Sequence, residues 1–218
     1  MNDLILPTSY LPPISYMAML TSRSTATIEI YESYPKQTHR NRCEILTSNG
    51  VMRLSVPVVR VNGNHTITAN VEISYAEKWN IQHIRAIESA YNNAPYFLYL
   101  WDGLKAILVK RHKRLIDFNQ LVIEYLLAKM SIPCRLNYSK DYVDNYGHSL
   151  TDSGLDMRGM FDHRRMKQSE YCTNRQVPYY QVWRDRFGFC PELSVIDLLF
   201  NLGPDESRNY LRQMTDMQ

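Results

Sequence analysis

What this 218-residue chain lacks narrows it before anything it contains. No Gly-x-x-x-x-Gly-Lys or Gly-x-Gly-x-x-Gly loop occurs, so the common backbone cradles for nucleotide phosphates are missing and a classical nucleotide site is disfavoured. No Gly-x-Ser-x-Gly elbow is present, so a hydrolase of that type is not expected. No His-Glu-x-x-His occurs and the histidines are scattered, so no metal site is expected. Cys43, Cys134, Cys172 and Cys190 form no Cys-x-x-Cys pair, which argues against zinc and dithiol chemistry. No apolar run approaches the ~18 residues that a membrane span needs. The prolines near the start break any leader-like apolar stretch, and no basic segment precedes one. The expectation is a reduced, soluble, cytoplasmic protein and not an integral membrane one.

Charge excludes a further class. A formal net charge of +3 is too small for a nucleic-acid binder, and no helix-turn-helix, zinc-finger or RNA-recognition spacing occurs. The densest basic run, Lys110 to Arg114, is expected to be a solvated helix face. Nucleic acid is therefore not an expected partner. What the chain has in excess is tyrosine, sixteen against six phenylalanines, a ring with a polar tip that suits half-buried clefts.

Periodicity points to an α/β fold, expected as a single domain over 1–218, with a strand-rich half (1–75) and a mainly helical half (76–218). Leu4-Ile5-Leu6 reads as a strand stopped at Pro7. The turn Thr8 to Pro13 follows, then a helix over Ile14 to Leu20 and a strand over Ala26 to Tyr31. A short mixed sheet built from these N-terminal strands, with helices packed on it, places a site at the strand ends. Cys43 to Leu46 and Val51 to Val61 predict a hairpin around Ser48-Asn49-Gly50, with Pro57 at an edge or bulge, and Thr66 to Ser74 a further strand. Helices are expected from Tyr75 to Tyr91, briefly over Tyr96 to Leu100, over Leu115 to Met130, and after Pro191 as far as Gly203-Pro204. Ile132 to Leu136 reads as a return strand, and Asp205 to Gln218 as a polar helix. Residues 141–180 read as a long Tyr-rich loop or lid holding the cluster Asp156, Arg158, Asp162, His163, Arg164, Arg165 and Lys167. Some local helix is expected there between Gly159 and Glu170.

The order of several blocks resembles the WbqC-like protein family over nearly the whole chain. These are Leu6 to Pro13 with Ser15-Tyr16, Asn41-Arg42, Leu54 to Val58, Trp79 with His83, Ala94 to Phe97, and Leu193 to Pro204. Ser15 stands where many relatives carry glycine, and Asp156 to Lys167 matches the family's basic pattern loosely. The resemblance implies a transferase of bacterial surface-polysaccharide (O-antigen-like) biosynthesis, moving glycine or another acyl group onto a sugar. Its partners would be a small anionic donor and a sugar acceptor. No cofactor and no oligomeric state are indicated.

The residues themselves offer candidates. Lys36, Arg40, Asn41 and Arg42 follow the second strand, where guanidinium forks could hold an anionic substrate; a salt-bridged surface loop is the competing account. His83, one turn from Trp79, is the candidate general base, against a structural histidine bonded to a carbonyl. His65 is a second, weaker candidate in its polar turn. Ser9 and Tyr10 could orient substrate or simply build the turn. Asp197 and Asn201 lie one helical turn apart, so their shared face either opens on a cleft or holds the lid through buried hydrogen bonds. Two other functions stay open: a nucleotidylyltransferase-like enzyme, which would lack its two-histidine signature, and a non-catalytic assembly protein using the Tyr-rich lid.

Overall fold

In the computed structural model, residues 3–35, 38–143, 150–151, 154–161 and 176–216 are described. The chain opens with β1 (Asp3–Pro7), α1 (Ile14–Thr21) and β2 (Thr25–Glu29), and β1 and β2 pair in parallel from Leu4↔Ala26 to Pro7↔Glu29. Two antiparallel ribbons follow: β3 (Arg42–Thr47) with β4 (Gly50–Ser55), and β5 (Val58–Arg60) with β6 (Val71–Ile73). Then come α2 (Trp79–Tyr91), α3 (Phe97–Val109), α4 (Leu115–Lys129) and β7 (Arg135–Tyr138). The short β8 (Leu150–Thr151) and β9 (Gly154–Asp156), α5 (Arg184–Phe187) and the long α6 (Val195–Asp216) complete the order.

The main sheet has the order β7-β2-β1-β9-β8. β7, β2, β1 and β9 run parallel and β8 closes the edge antiparallel, so the sheet is mixed. Its centre is N-terminal, but its flanks come from β7 and from β8 and β9, inside the stretch read as a lid. The middle of that stretch (144–149, 152–153 and 162–175) lies outside the described residues, as do Lys36, Cys172 and the cluster members Asp162 to Lys167. Of the local helix expected there, a 3-10 turn over Arg158–Phe161 is described.

α1 carries the core. Every residue from Ile14 to Leu20 is buried, and all but Ser15 carry largely apolar side chains, as expected of a helix enclosed on every side. It packs on α6, whose first turns are buried from Val195 to Asn201. Its N-cap is Pro13, which offers no side-chain cap; the Glu192 carboxylate accepts from Ser15 N–H (3.4 Å) and from the Ser15 hydroxyl instead. The turn ahead of α1 is clamped on two sides. Tyr10 N–H donates to His39 O (2.9 Å), Ile14 N–H to Leu193 O (3.1 Å) and Val195 N–H to Pro12 O (2.8 Å). Leu11 within it adopts φ 41°, a left-handed conformation that a branched side chain holds only when its surroundings enforce it.

Three expectations are corrected. The single strand over Val51 to Val61 is two strands, because Pro57 lacks an N–H and Asn41 captures its neighbour: Val56 N–H donates to Asn41 O and Asn41 Nδ2 to Val56 O, both 2.8 Å. Much of the strand over Thr66 to Ser74 is a 3-10 turn at Thr68–Asn70, since Thr68 and Ala69 donate to Glu32 O and Ile30 O beyond β2. The helix at Tyr96 is not short: it buries Phe97, Leu100, Trp101, Leu104 and Leu108 and runs to Val109. The basic run from Lys110 to Arg114 consequently joins α3 to α4 and is not a helix face.

The expected stop at Gly203-Pro204 is a break inside α6, where Gly203 takes φ 78°, ψ 175°. A Cβ there would sit 2.6 Å from the Tyr96 ring, so glycine is required by both conformation and space.

Candidate functional site

Strand order reverses at β1: the connection through α1 leads to β2 on one side, and β9 is added on the other. In open α/β sheets the crevice beyond the carboxyl ends of strands at such a reversal is where ligands bind. The residues placed there are polar, and all but the half-buried Asp156 are buried. Thr8 and Ser9 follow β1, Glu29 ends β2, and Asp156 ends β9 with Arg158 two residues on.

These groups form a charge network. Arg158 grips Asp156 with Nε (3.0 Å to Oδ1) and Nη2 (2.6 Å to Oδ2), and donates to Val143 O at 2.7 Å. Its Nη1 lies 3.8 Å from Glu29 Oε2. Glu29 also accepts from Tyr31 N–H (2.7 Å), Ser139 Oγ (3.1 Å) and Val143 N–H (3.0 Å). Arg40 pairs with Glu32, both side chains 2% exposed. Asn119 Nδ2 bridges Thr8 Oγ1 (3.0 Å) and Arg40 O (2.8 Å), tying α4 to the strand end. Three carboxylates thus face two guanidinium groups, and each arginine is matched.

The structure brings Ser9, Tyr10, Arg40, Asn41 and Arg42 together at this rim, with Ser9 Oγ donating to His39 O at 3.3 Å. Trp79 and His83 join them from below. Tyr10 Oη and His83 Nδ1 share a 2.9 Å hydrogen bond, and the Trp79 and His83 rings meet edge-on at 5.1 Å. His83 is only 5% exposed. Burial pushes its pKa down to about 4, against a hydrogen bond to the Ser55 backbone that raises it. It is a neutral core imidazole joining α2 to the turn after β1. His65 is exposed on the turn Gly63–His65 and shares no hydrogen bond or ring contact with the rim among the described residues.

Asp197 and Asn201 belong to a separate buried cluster. Asp197 accepts from Tyr179 Oη (2.7 Å), Gln181 Nε2 (3.0 Å) and Tyr91 Oη (3.0 Å), while Asn201 Nδ2 donates to Asp197 O (2.7 Å). This face of α6 holds the 176–181 segment. Burial pushes the Asp197 carboxyl up to about 6, with the hydrogen bonds from Tyr179, Gln181 and Tyr91 opposing.

Glu32, Glu29 and Glu192 carried no chemical signal in the sequence. Glu29 could have been found as the last residue of a strand at the sheet's carboxyl edge. Glu192 adopts φ 60°, accepts from Ser15 and Gln176, and lies at the α1 N-terminus on that same edge. Burial raises its pKa to about 7, partly offset by its hydrogen bonds.

A model of the WbqC-like protein family matches residues 8–166, from the turn after β1 through the Arg158 network. The chain belongs to the WbqC-like protein family. The chain is also 29% identical over 229 residues to the uncharacterised protein Rv1507c of Mycobacterium tuberculosis, covering 95% of this chain and 96% of that one. No solved structure matches. Among the described residues of this WbqC-like chain, no helix is long and apolar enough to cross a membrane.

The raised carboxyls make stability pH-dependent with a definite sign. A carboxyl whose folded pKa exceeds its unfolded value (~4,) binds more protons when folded, so its contribution is present below pH ~4 and lost as pH rises through 6 to 7. His83 acts oppositely, losing its contribution as pH falls from ~6.5 towards 4. The melting temperature of the wild type should therefore fall between pH 5 and 7 more steeply than that of Asp197→Asn. Equal slopes in the two proteins would contradict the assignment.

Proposed function

We propose that this chain is a transferase of bacterial surface-polysaccharide biosynthesis. It would move a glycyl or other acyl group from an anionic donor to the amine or hydroxyl of a sugar. The reading is supported chiefly by one observation: the strand order reverses at β1, and the family-matched polar residues gather at that reversal. In the reaction the acceptor's lone pair attacks the donor carbonyl, the bond from that carbon to the leaving group breaks, and the acceptor's proton is taken up by a base.

His83 has no route to such a proton, being buried beneath Tyr10. Glu192 is the better base. It stands at the carboxyl edge of the sheet beside the α1 N-terminus, and burial raises its pKa towards neutrality, which suits proton transfer at neutral pH.

The test begins with thermal shift of the purified chain against nucleotide-sugars, acyl-CoA and aminoacyl-adenylate analogues. A donor at ~100 times its Kd adds about 2.7 kcal/mol. With the donor that binds, transfer to amino sugars is followed by mass spectrometry. Glu192→Gln should cut kcat by roughly 10²–10⁴-fold while leaving donor binding in place. Absence of a transferred product with every donor would sink the transferase reading, and full activity in Glu192→Gln would remove its base.

A further inference from the structure

We infer that the pocket beside Arg42 is an oxyanion subsite that engages an oxygen of the phosphoryl or carboxylate head group of a ligand. The inference deepens the transferase reading by naming the part of the donor that is held, though the binding it predicts does not require transfer.

The two arginines of Arg40-Asn41-Arg42 are treated differently by the fold. Arg40 is neutralised by Glu32. Arg42 is half-buried at the start of β3, and its guanidinium makes no hydrogen bond or ion pair among the described residues. Its Nε is shielded from solvent and has no acceptor. A shielded donor without a partner costs stability, and proteins keep one where something else supplies the acceptor.

Arg42 lines a pocket with Thr38, His39, Cys43, Glu44 and Arg53. Glu44, the acid among them, is engaged across the hairpin by Arg53 at 2.7 Å, so its charge is already answered. Burial pushes the Cys43 thiol well up, so it stays neutral. The local excess is one positive charge, on Arg42. A second shielded polar atom without a partner is Tyr34 Oη, on a side chain 5% exposed. Burial pushes the Tyr34 phenol well above its ordinary pKa, and the positive charges of Arg40, Arg42 and Arg60 oppose that shift.

Position ties the pocket to the reversal of strand order. His39 O holds Tyr10 N–H and Ser9 Oγ, so the pocket wall is the same segment that clamps the turn after β1. Its enclosed space is about 10 Å³, room for one water-sized group and far below the ~300–1,000 Å³ of a pocket for a whole small molecule. It therefore admits a single oxygen of a head group, with the remainder of the ligand lying outside. A guanidinium fork, a threonine hydroxyl and an imidazole suit oxyanion geometry, which a lysine ammonium could not reproduce.

The experiment titrates the full chain with inorganic phosphate and, separately, with acetate, at ionic strength matched with chloride. Melting temperature and backbone amide shifts are both followed. The expected result is a saturable rise in melting temperature with at least one of the two anions. The amide shifts should centre on residues 38–44 and Arg53. Arg42→Gln should abolish the rise without lowering the unliganded melting temperature, and Arg42→Lys should bind at least tenfold more weakly. Saturation by phosphate alone assigns a phosphoryl group, and by acetate alone a carboxylate. No saturable response to either anion would overturn the inference, as would a response that Arg42→Gln retains. If Arg42→Gln does not fold, the wild-type shift map decides: shifts centred elsewhere overturn the site. Binding without any transfer activity would leave this subsite standing and remove the transferase reading alone.

Discussion

Replacing Arg158 with methionine should destabilise the protein by about 3–5 kcal/mol at pH 7. The side chain is fully buried and holds Asp156 through two parallel hydrogen bonds while facing Glu29 at 3.8 Å. Methionine fills similar volume, so the loss is not chiefly a cavity. The cost comes from two carboxylates left beneath the surface with their cation removed, and from Val143 O losing its donor. Charge is the cause, so acidification towards pH 4 should narrow the gap between variant and wild type as protonation discharges the stranded groups. Adding Asp156→Leu to Arg158→Met should recover part of the loss, because the pair is then replaced by apolar side chains together. Urea unfolding of the four proteins of that cycle measures it. A loss below ~1 kcal/mol, flat from pH 4 to 8, would show that the network is solvated and is not the foundation of the strand ends.

The sequence announced some of this architecture plainly. Pro7, the Pro12-Pro13 pair and the largely apolar Ile14 to Leu20 mark β1, its turn and α1, because proline punctuation and a helix buried on every side leave local signatures. α3 was cut short for a physical reason. Gly103 lies inside the observed helix because the Tyr125 ring would come within 2.6 Å of a Cβ there, a contact from α4 that no local pattern shows. The spacing of His83 from Trp79 placed it on the buried stripe of α2. Nothing local could show that its partner is Tyr10, seventy-three residues away. The same holds for Arg40, which looks like a free cation until Glu32 is seen folded against it. Strand-end acids such as Glu29 are visible once strand order is known, and that order depended on β9, hidden in a stretch that reads as loop. The paired spacing of Asp197 and Asn201 was legible; the tyrosines that meet Asp197 come from elements 106 and 18 residues distant.

Those tyrosines make Asp197→Ala the second large effect. The native carboxylate is fully buried and satisfies the hydroxyls of Tyr91 and Tyr179 and the amide of Gln181. Alanine removes all three acceptor contacts at once, and each stranded donor costs about 1–3 kcal/mol. A loss of about 3 kcal/mol or more is expected. It should fall first on the 176–181 segment, whose grip on α6 runs through Tyr179 and Gln181. Hydrogen exchange of the Gln181 to Cys190 region should accelerate before that of α1, because Gln181 also bonds both ways with Cys190. Asp197→Asn is the informative contrast. Its amide oxygen can still accept from Tyr179 and Gln181, while its NH₂ can donate to Tyr91 Oη, which already takes the Leu46 N–H at 3.2 Å. The asparagine variant should therefore lose only about 1 kcal/mol. Uniform acceleration of exchange across α1, α6 and the segment together would mean that the cluster is part of the global core and not a local clasp. Equal losses from alanine and asparagine would mean that the charge, and not the acceptor geometry, holds the segment in place.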